Sequence, residues 1–438
     1  MARLPAPGAR TRQRRQWLPA DWPLRFTVLA FPLWWALGIG AFMWILMGLA
    51  MAVQLSVRRG LRVPKGFGWW LLYVGWVGVS YLALPSENTG IFYMYRLLSF
   101  LAVTVALVWV YNADPGAVPT RRLVGYLAAM WLITVAGGWL GVLVPSGGFT
   151  SLAEKLLPRS LATQTFMQAM VHPSFAQVQT FLGYPLGRPK APFPYTNNWG
   201  AVYSLTAPFF FYGWLQSIKP VRRRRGLLIL GASLVPVFVS LNRGLWLGLG
   251  AALLNAASRS GDLARAARRI LLALVTLGLL VLVFTPLSGV VAQRSQTGHS
   301  NEGRFYLYTE AFASAAHSPL IGHGGPVKVT SNKLLPDIGT QGQLWNVLVS
   351  QGFVGLLFFE AFFLKMWFAT RRRGPPVTFW AHATVTVVLV VQFVYDLLPA
   401  ELPLVFLALG VGLRDAHMVG GAEPEDLRDE SEPGLDAL

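Results

Sequence analysis

Two arginines, Arg243 and Arg304, lie next to apolar or helical segments and away from the basic clusters of the chain. Arg243 stands between two apolar runs, and Arg304 lies in the first turn of a predicted helix that starts near residues 300–302 and ends near Ser318. A planar guanidinium can bind two phosphate oxygens at once, and a helix N-terminus attracts the same anion. These positions predict a site for a phosphate-bearing ligand. The alternatives are an arginine extended toward lipid phosphates at Arg243 and an exposed loop arginine at Arg304.

The segment 187–200 collects cations, aromatic rings and amides immediately before an apolar run. This mixture suits the recognition of sugars and phosphates, although Trp and Tyr at a membrane interface give a similar composition. The candidates are Arg188 for phosphate and Tyr195, Asn197 and Asn198 for sugar.

One histidine stands among glycines: His323 could act as a general base because imidazole titrates near neutral pH. A solvated turn that ends the preceding helix explains the same pattern equally well. The chain has no cysteine, and its polar loops contain no Asp-x-Asp or His-Glu-x-x-His pattern, so neither a metal nor a cofactor is predicted. It also lacks a Gly-x-x-x-x-Gly-Lys loop, which excludes ATP-driven transport by this chain alone.

The elements that must position these residues are membrane helices. Of the 438 residues, 54% are hydrophobic and only 13% are charged, which is too few to cover a water-soluble domain. The apolar residues form blocks of about 15 to 25, the length that crosses a bilayer. The net charge of +18 is scattered in short clusters between these blocks, which indicates orientation in a membrane and not a nucleic-acid partner.

The expected fold class is therefore all-α: a polytopic protein of about twelve transmembrane helices with two enlarged extracytoplasmic loops that contain short helices. All basic clusters then fall on one side, which predicts the cytoplasmic (inner) membrane with both termini in the cytoplasm. The predicted division of the chain is a basic N-terminus at 1–22, helices one to five at 23–145, a loop at 146–198, helices six to nine at 199–287, a loop with a helix at 288–343, helices ten to twelve at 344–414, and an acidic disordered tail at 415–438.

Two carboxylates fall within the predicted spans, Glu360 and Asp396. A charge inside a bilayer is costly, so such residues are candidates for a coupled transporter. Structural pairing, for example of Glu360 with Lys365, is the other interpretation. A glycolipid flippase or secondary transporter is therefore the alternative function.

The order of three motifs resembles the superfamily of O-antigen ligases and polymerases, membrane enzymes that handle lipid-linked glycans. Residues 240–248 are similar to its S-x-S-R-G-x-W-L-G hairpin. Residues 304–324 are similar to its R-x-x-x-(Y/W)-x-x-A…P-L-x-G-x-G loop helix, and residues 343–357 to its L-x-x-L-V-E-x-G-L-x-G-L-L span. With the predicted topology, the resemblance covers most of the chain.

The resemblance implies transfer of a glycan from an undecaprenyl-diphosphate carrier to an acceptor hydroxyl, with inversion and without a metal. Its partners would be that carrier, an acceptor glycan or glycolipid, and membrane lipids. Arg243 and Arg304, with Arg188 as a lesser candidate, would bind the diphosphate.

Ligases of the superfamily have a histidine base where this chain has Gln341, and an amide cannot accept the proton. The candidate replacements are His323, Asp337 and Glu302; the alternative is that the reaction relies on departure of the diphosphate without a base. Gln341 then joins Tyr195, Asn197 and Asn198 as a candidate contact of the glycan or acceptor. A polymerase or another polysaccharide-processing enzyme fits this departure at least as well as a ligase.

Overall fold

The computed structural model describes residues 18–84, 90–162, 164–181, 184–258, 261, 264–265, 267–269, 272, 299–329, 336–371 and 374–421. The structure is 71% helix and 4% strand, so the expected helical class is confirmed. Most of the predicted basic N-terminus, most of the predicted span at 270–287 and the acidic tail beyond 421 lie outside the described residues.

The helices vary widely in length, from short turns in the polar segments to long apolar rods. In chain order they are α1 (Trp22–Leu29), α2 (Phe31–Ala36), α3 (Met43–Ser56), α4 (Phe67–Ser80), α5 (Gly90–Tyr111), α6 (Thr120–Leu143), α7 (Leu152–Leu156), α8 (Arg159–Ala162), α9 (Thr165–Val171), α10 (Thr196–Phe210), α11 (Pro220–Val239), α12 (Arg243–Ala257), α13 (His299–His317), α14 (Gln343–Arg371), α15 (Pro376–Val391) and α16 (Glu401–Gly421).

Four of these helices, α5, α6, α14 and α16, are long and apolar enough to cross a membrane, within the part of the chain that the structure describes. Three shorter apolar helices accompany them, at Met43–Ser56, Phe67–Ala83 and Pro376–Val391. The predicted membrane character is thus supported, but the count of about twelve spans is not. The physical reason is that apolar composition does not fix helix length: the first apolar block divides into helices of 8, 6 and 14 residues, with prolines in the first turns of α1 and α2.

The centre of the molecule is α16, whose apolar side chains from Leu402 to Val411 are almost completely buried. It packs against α5, α6, α10 and α15. At its end, Arg414 donates to the carbonyl oxygen of Val118 at 2.9 Å and to the hydroxyl of Thr120 at 2.8 Å. At its start, Glu401 is fully buried and accepts a bond from Asn198. These two polar ends are about 20 Å apart along the helix axis.

The helix α14 is sharply bent at Gly352, where φ is +68° and ψ is −171°. The carbonyl oxygen of Gln392 accepts from the backbone nitrogen of Leu344, while its side-chain amide donates to Glu360. A straight helix would separate Leu344 and Glu360 by about 24 Å, which a single glutamine cannot bridge. The first part of α14 therefore folds back toward the second part.

We expect Gly352→Ala to destabilise the protein by about 1 to 3 kcal/mol, because only glycine adopts this backbone conformation without strain. The new Cβ would also lie 2.6 Å from the carbonyl oxygens of Pro319 and Leu320. The matched control is Gly68→Ala, where a Cβ meets nothing within 4 Å. Thermal unfolding in detergent measures both variants, and equal transition temperatures would contradict the prediction.

The predicted loop at 146–198 contains α7, α8 and α9, as expected of short loop helices, but also an antiparallel hairpin of β1 (Ala176–Phe181) and β2 (Tyr184–Pro189). The hairpin packs closely on α6: a Cβ at Gly141 would lie 2.6 Å from the carbonyl oxygen of Phe175 and 2.9 Å from the Cα of Pro189. The all-α expectation did not include this hairpin, which carries Arg188 opposite Gln177.

Candidate functional site

The connection between α15 and α16 carries a buried tyrosine, Tyr395, whose side chain is 2% exposed. Its hydroxyl donates a hydrogen bond to the Oδ1 atom of Asn242, at the tip between α11 and α12. The amide nitrogen of Asn242 in turn donates to the carbonyl oxygen of Thr196 at 2.9 Å. The Asn242–Tyr395 pair thus joins the start of α10, the start of α12 and the connection before α16.

Two glycines make room for this pair. A Cβ at Gly244 would lie 2.6 Å from the hydroxyl oxygen and 2.8 Å from the Cε1 atom of Tyr395, and it would also overlap the Cζ atom. A Cβ at Gly200 would overlap the side-chain amide of Asn242 and lie 3.0 Å from the Tyr395 hydroxyl. Because neither position tolerates a side chain, three helical segments approach each other closely at this point.

Three arginines lie in segments near the Asn242–Tyr395 pair. Burial raises the pKa of Tyr395, and the guanidinium groups of Arg188 and Arg304 are close enough to act against that rise. Arg243 is the first residue of α12 and follows Asn242 directly. The structure therefore brings all three predicted phosphate-binding residues to one region of the molecule.

Arg188 is fixed by hydrogen bonds across the site. Its Nε atom donates to the carbonyl oxygen of Ser240 at 2.6 Å, and its Nη1 atom donates to the Oε1 atom of Gln179 at 2.8 Å. The first bond links the β-hairpin to the tip that precedes Asn242. Arg188 thus holds its guanidinium in one orientation, whereas Arg243 and Arg304 are exposed.

The helix α13 is positioned by aromatic contacts. The ring of Tyr308 stacks on Trp345 with centroids 4.4 Å apart, and its hydroxyl donates to the carbonyl oxygen of Phe393 at 3.3 Å. The indole of Trp345 donates to the same carbonyl at 3.0 Å. Since Arg304 lies one helical turn before Tyr308 on the same face, these contacts direct it toward the connection that carries Tyr395.

Gln343 fixes the backbone of that connection. Its backbone nitrogen donates to the carbonyl oxygen of Tyr395 at 2.7 Å, and its Oε1 atom accepts from the backbone nitrogen of Leu397 at 3.1 Å. Sequence reasoning did not single out Tyr395, Asn242 or Gln343. The available signal was a set of polar side chains at the ends of apolar runs, where they must find partners.

The predicted sugar contacts differ in their surroundings. Asn198 is buried and its amide donates to the carbonyl oxygen of Leu398 at 3.0 Å and to Glu401 at 2.8 Å, so its donors are used within the fold. Tyr195 is 36% exposed; burial raises its pKa, and the neighbouring carboxylate of Asp396 raises it further. Asn197 and Gln341 are partly buried. For Tyr195, Asn197 and Gln341 the contact with a glycan stays a prediction.

The structure does not bring the candidate bases into one group. The Nε2 atom of His323 bonds the carbonyl oxygen of Ser314 at 3.0 Å, about 15 Å along α13 from Arg304. Asp337 is exposed, beside the short bridge between Val327 and Ile338. Glu302 belongs to the first turn of α13, and its side chain lies outside the described residues. The identity of the base stays a prediction.

Lys190 is a partly buried cation near the site, between β2 and α10. Its ammonium group donates to the carbonyl oxygen of Pro194 at 3.0 Å. Burial lowers its pKa from 10.5 to about 8. The charged ammonium group loses hydrogen bonds to water, and the single bond to a carbonyl oxygen does not compensate for them.

Lys190→Met should stabilise the protein at pH 7 and remove part of its pH dependence. The pKa of lysine in an unfolded chain is about 10.4. Between pH 8 and this pKa, the unfolded chain therefore binds more protons than the folded one. The destabilisation by Lys190 is therefore full below pH 8 and decreases as the pH rises. Thermal unfolding from pH 7 to 10 should show the largest difference between variant and wild type at the lowest pH; parallel curves would contradict this.

Among the residues that the structure describes, no group of three or more His, Cys, Asp or Glu side chains could hold a metal ion. The site is built from guanidinium groups, a phenol and an amide, which bind anionic oxygens and hydroxyl groups.

No known protein-family model matches the chain, and no curated protein matches it.

Proposed function

We propose that this chain is a membrane glycan transferase, similar to O-antigen ligases and polymerases, acting in the synthesis of a cell-surface polysaccharide. It moves a glycan from an undecaprenyl-diphosphate carrier to an acceptor hydroxyl without a metal or cofactor. The observation that supports this proposal is the grouping of Arg188, Arg243 and Arg304 around the Asn242–Tyr395 pair.

In such a reaction the bond between the sugar and the diphosphate breaks, and negative charge develops on the diphosphate oxygen. Guanidinium groups stabilise that charge through paired hydrogen bonds, which lowers the barrier to departure. Arg188 acts from an orientation that its bonds to Ser240 and Gln179 fix in advance. Arg243 and Arg304 are exposed, and both contact the diphosphate when the carrier binds.

The proposed location is the outer face of the cytoplasmic membrane, in a multi-pass arrangement with both termini in the cytoplasm. One end of the helix group is basic: Arg58 donates to the carbonyl oxygen of Asn112 at 2.6 Å, and Arg414 lies at the corresponding end of α16. Positive charge favours the cytoplasmic side. The candidate site is at the other end of α16, where Glu401 and Tyr395 lie.

Both ends of the described chain lie at this basic end. Asp21, which precedes α1, accepts from Tyr126 at 2.6 Å and from Arg122 at 3.2 Å in the first turns of α6. Thr120 at the start of α6 donates to Asp415 near the end of α16 at 2.6 Å. In the proposed orientation, both ends of the described part of the chain face the cytoplasm.

Transport without bond formation is the second candidate function, and one buried pair favours it. The amide of Gln392 donates to the Oε2 atom of Glu360 at 3.1 Å. The remaining oxygens of both side chains are buried without a hydrogen-bond partner among the described residues. In transporters coupled to protons or cations, a buried carboxylate between two apolar helices binds the coupling ion.

The two functions are distinguished by reconstitution into vesicles. The protein is purified with its bound lipid, the lipid is identified by mass spectrometry, and the vesicles are supplied with that lipid-linked glycan and acceptor. The transferase releases undecaprenyl diphosphate and forms a new glycosidic bond. A transporter moves the substrate without forming a bond and loses that flux in Glu360→Gln or Asp396→Asn, a result that would overturn the proposed function.

A further inference from the structure

A cavity of about 280 Å³ lies beside α13, on a different face from the aromatic contacts of the candidate site. Its polar walls are formed by Tyr306, Glu310, Ser314, His317 and Lys328. The first four recur every three or four residues and so share one face of the helix. The adjacent face of α13, at Leu307, Ala311 and Ala315, is buried.

The floor of the cavity is apolar and held by backbone bonds. Val327 and Ile338 exchange two hydrogen bonds, of 3.1 and 2.7 Å, and both residues line the cavity. The backbone at Ser314 is fixed by a hydrogen bond of 3.0 Å between its carbonyl oxygen and the Nε2 atom of His323. The cavity thus has an apolar floor and a polar wall.

Two opposite charges face this recess without pairing. Neither the carboxylate of Glu310 nor the ammonium group of Lys328 takes part in a salt bridge or hydrogen bond with another described residue. A ligand that both donates and accepts hydrogen bonds can satisfy the two groups together, as sugar hydroxyls do.

We propose that this cavity is a saccharide-binding site that holds a sugar unit of the glycan undergoing transfer or extension, an inference that rests on the proposed function. Its volume is just below the range of small-molecule pockets, about 300 to 1,000 Å³, which suits a single sugar ring. Tyr306 lies two residues after Arg304, and His317 lies about 20 Å from Arg304 along the helix axis. Residues two positions apart lie on different faces of a helix, so the cavity starts near Arg304 in the sequence but opens on another face of α13.

The binding test uses the purified full-length protein in detergent without any lipid-linked substrate. Saturation-transfer NMR with glucose, galactose, rhamnose and N-acetylglucosamine as probes should detect binding of at least one of them. Glu310→Gln and Lys328→Met should each weaken it at least tenfold. Thr309→Ala should not, because that exposed hydroxyl bonds only its own helix. Absence of binding, or equal binding in all variants, would overturn the proposal.

The source of the sugar follows from kinetics on the same variants. An increase in the KM for the acceptor by tenfold or more, with kcat unchanged, assigns the site to the acceptor glycan; the same increase for the lipid-linked donor assigns it to the donor glycan. Unchanged KM values for both would overturn the proposal. If saccharides bind in this way but no transfer occurs, the proposed function fails while the binding site stands.

Discussion

Replacing Arg304 with alanine should lower the rate of glycan transfer by about 10² to 10³-fold, the usual effect of removing one donor that stabilises developing charge. Arg304 is exposed, and it is directed toward Tyr395 by the contacts of Tyr308 with Trp345 and Phe393. Its loss should therefore leave the fold intact. The measurement is release of undecaprenyl diphosphate by the variant in vesicles, beside its thermal unfolding in detergent.

Conservative and distant substitutions separate charge from geometry. Arg304→Lys keeps the charge but loses the planar pair of donors, so it should recover only part of the rate. Arg225→Ala removes an exposed arginine of the basic cluster at the start of α11 and should transfer glycan at the wild-type rate. Wild-type activity in Arg304→Ala would refute the role given to the arginines.

Local features with their own chemical signature could be predicted from the sequence. The helix α13 was expected to start near residues 300–302 and to end at Ser318, and it spans His299–His317. Its polar start and the Ser-Pro stop are local signals, and no distant contact is needed to interpret them. Arg243 was likewise recognised because a cation between two apolar runs needs a partner or a function, and Arg304 because it lies at the start of a helix.

Features that depend on distant contacts could not be predicted in the same way. The bend at Gly352 exists because Gln392 binds both parts of α14, 40 residues or more away from Leu344. The β-hairpin has alternating residues in β1, at 176–181, but that signal is short and lies in a polar segment. Apolar composition also gave no warning of the break at Ala30, which separates α1 from α2.

The Asn242–Tyr395 pair illustrates the same limit for the site. Each residue alone is an ordinary polar group at a helix end, 153 positions from the other. Only the folded chain shows that the two meet and that Gly244 and Gly200 leave the room for them. The sequence was enough to select the arginines as phosphate-binding candidates. It did not predict the contact between Asn242 and Tyr395 near which they lie.

The second large effect is expected from Gly244→Ala. The added methyl group would overlap Tyr395 and displace its ring, which costs about 1 to 3 kcal/mol of stability for overpacking. It would also break the bond to Asn242 and shift the start of α12, where Arg243 lies. Since a displacement of about 1 Å can cost 10²-fold in rate, we expect a loss of activity of about that size. Transfer assays and thermal unfolding measure the two effects.

Gly250→Ala is the matched control, because it lies on the same helix and its Cβ would meet nothing within 4 Å. It should leave activity unchanged and raise stability by up to about 1 kcal/mol, the gain of alanine over glycine inside a helix. Tyr395→Ala identifies the cause of the loss: if the overlap is responsible, Gly244→Ala should cost little further stability in that background. If the losses of stability in the double variant are additive, Gly244 acts through another contact. The close packing around Tyr395 would then not explain why the residue after Arg243 is a glycine.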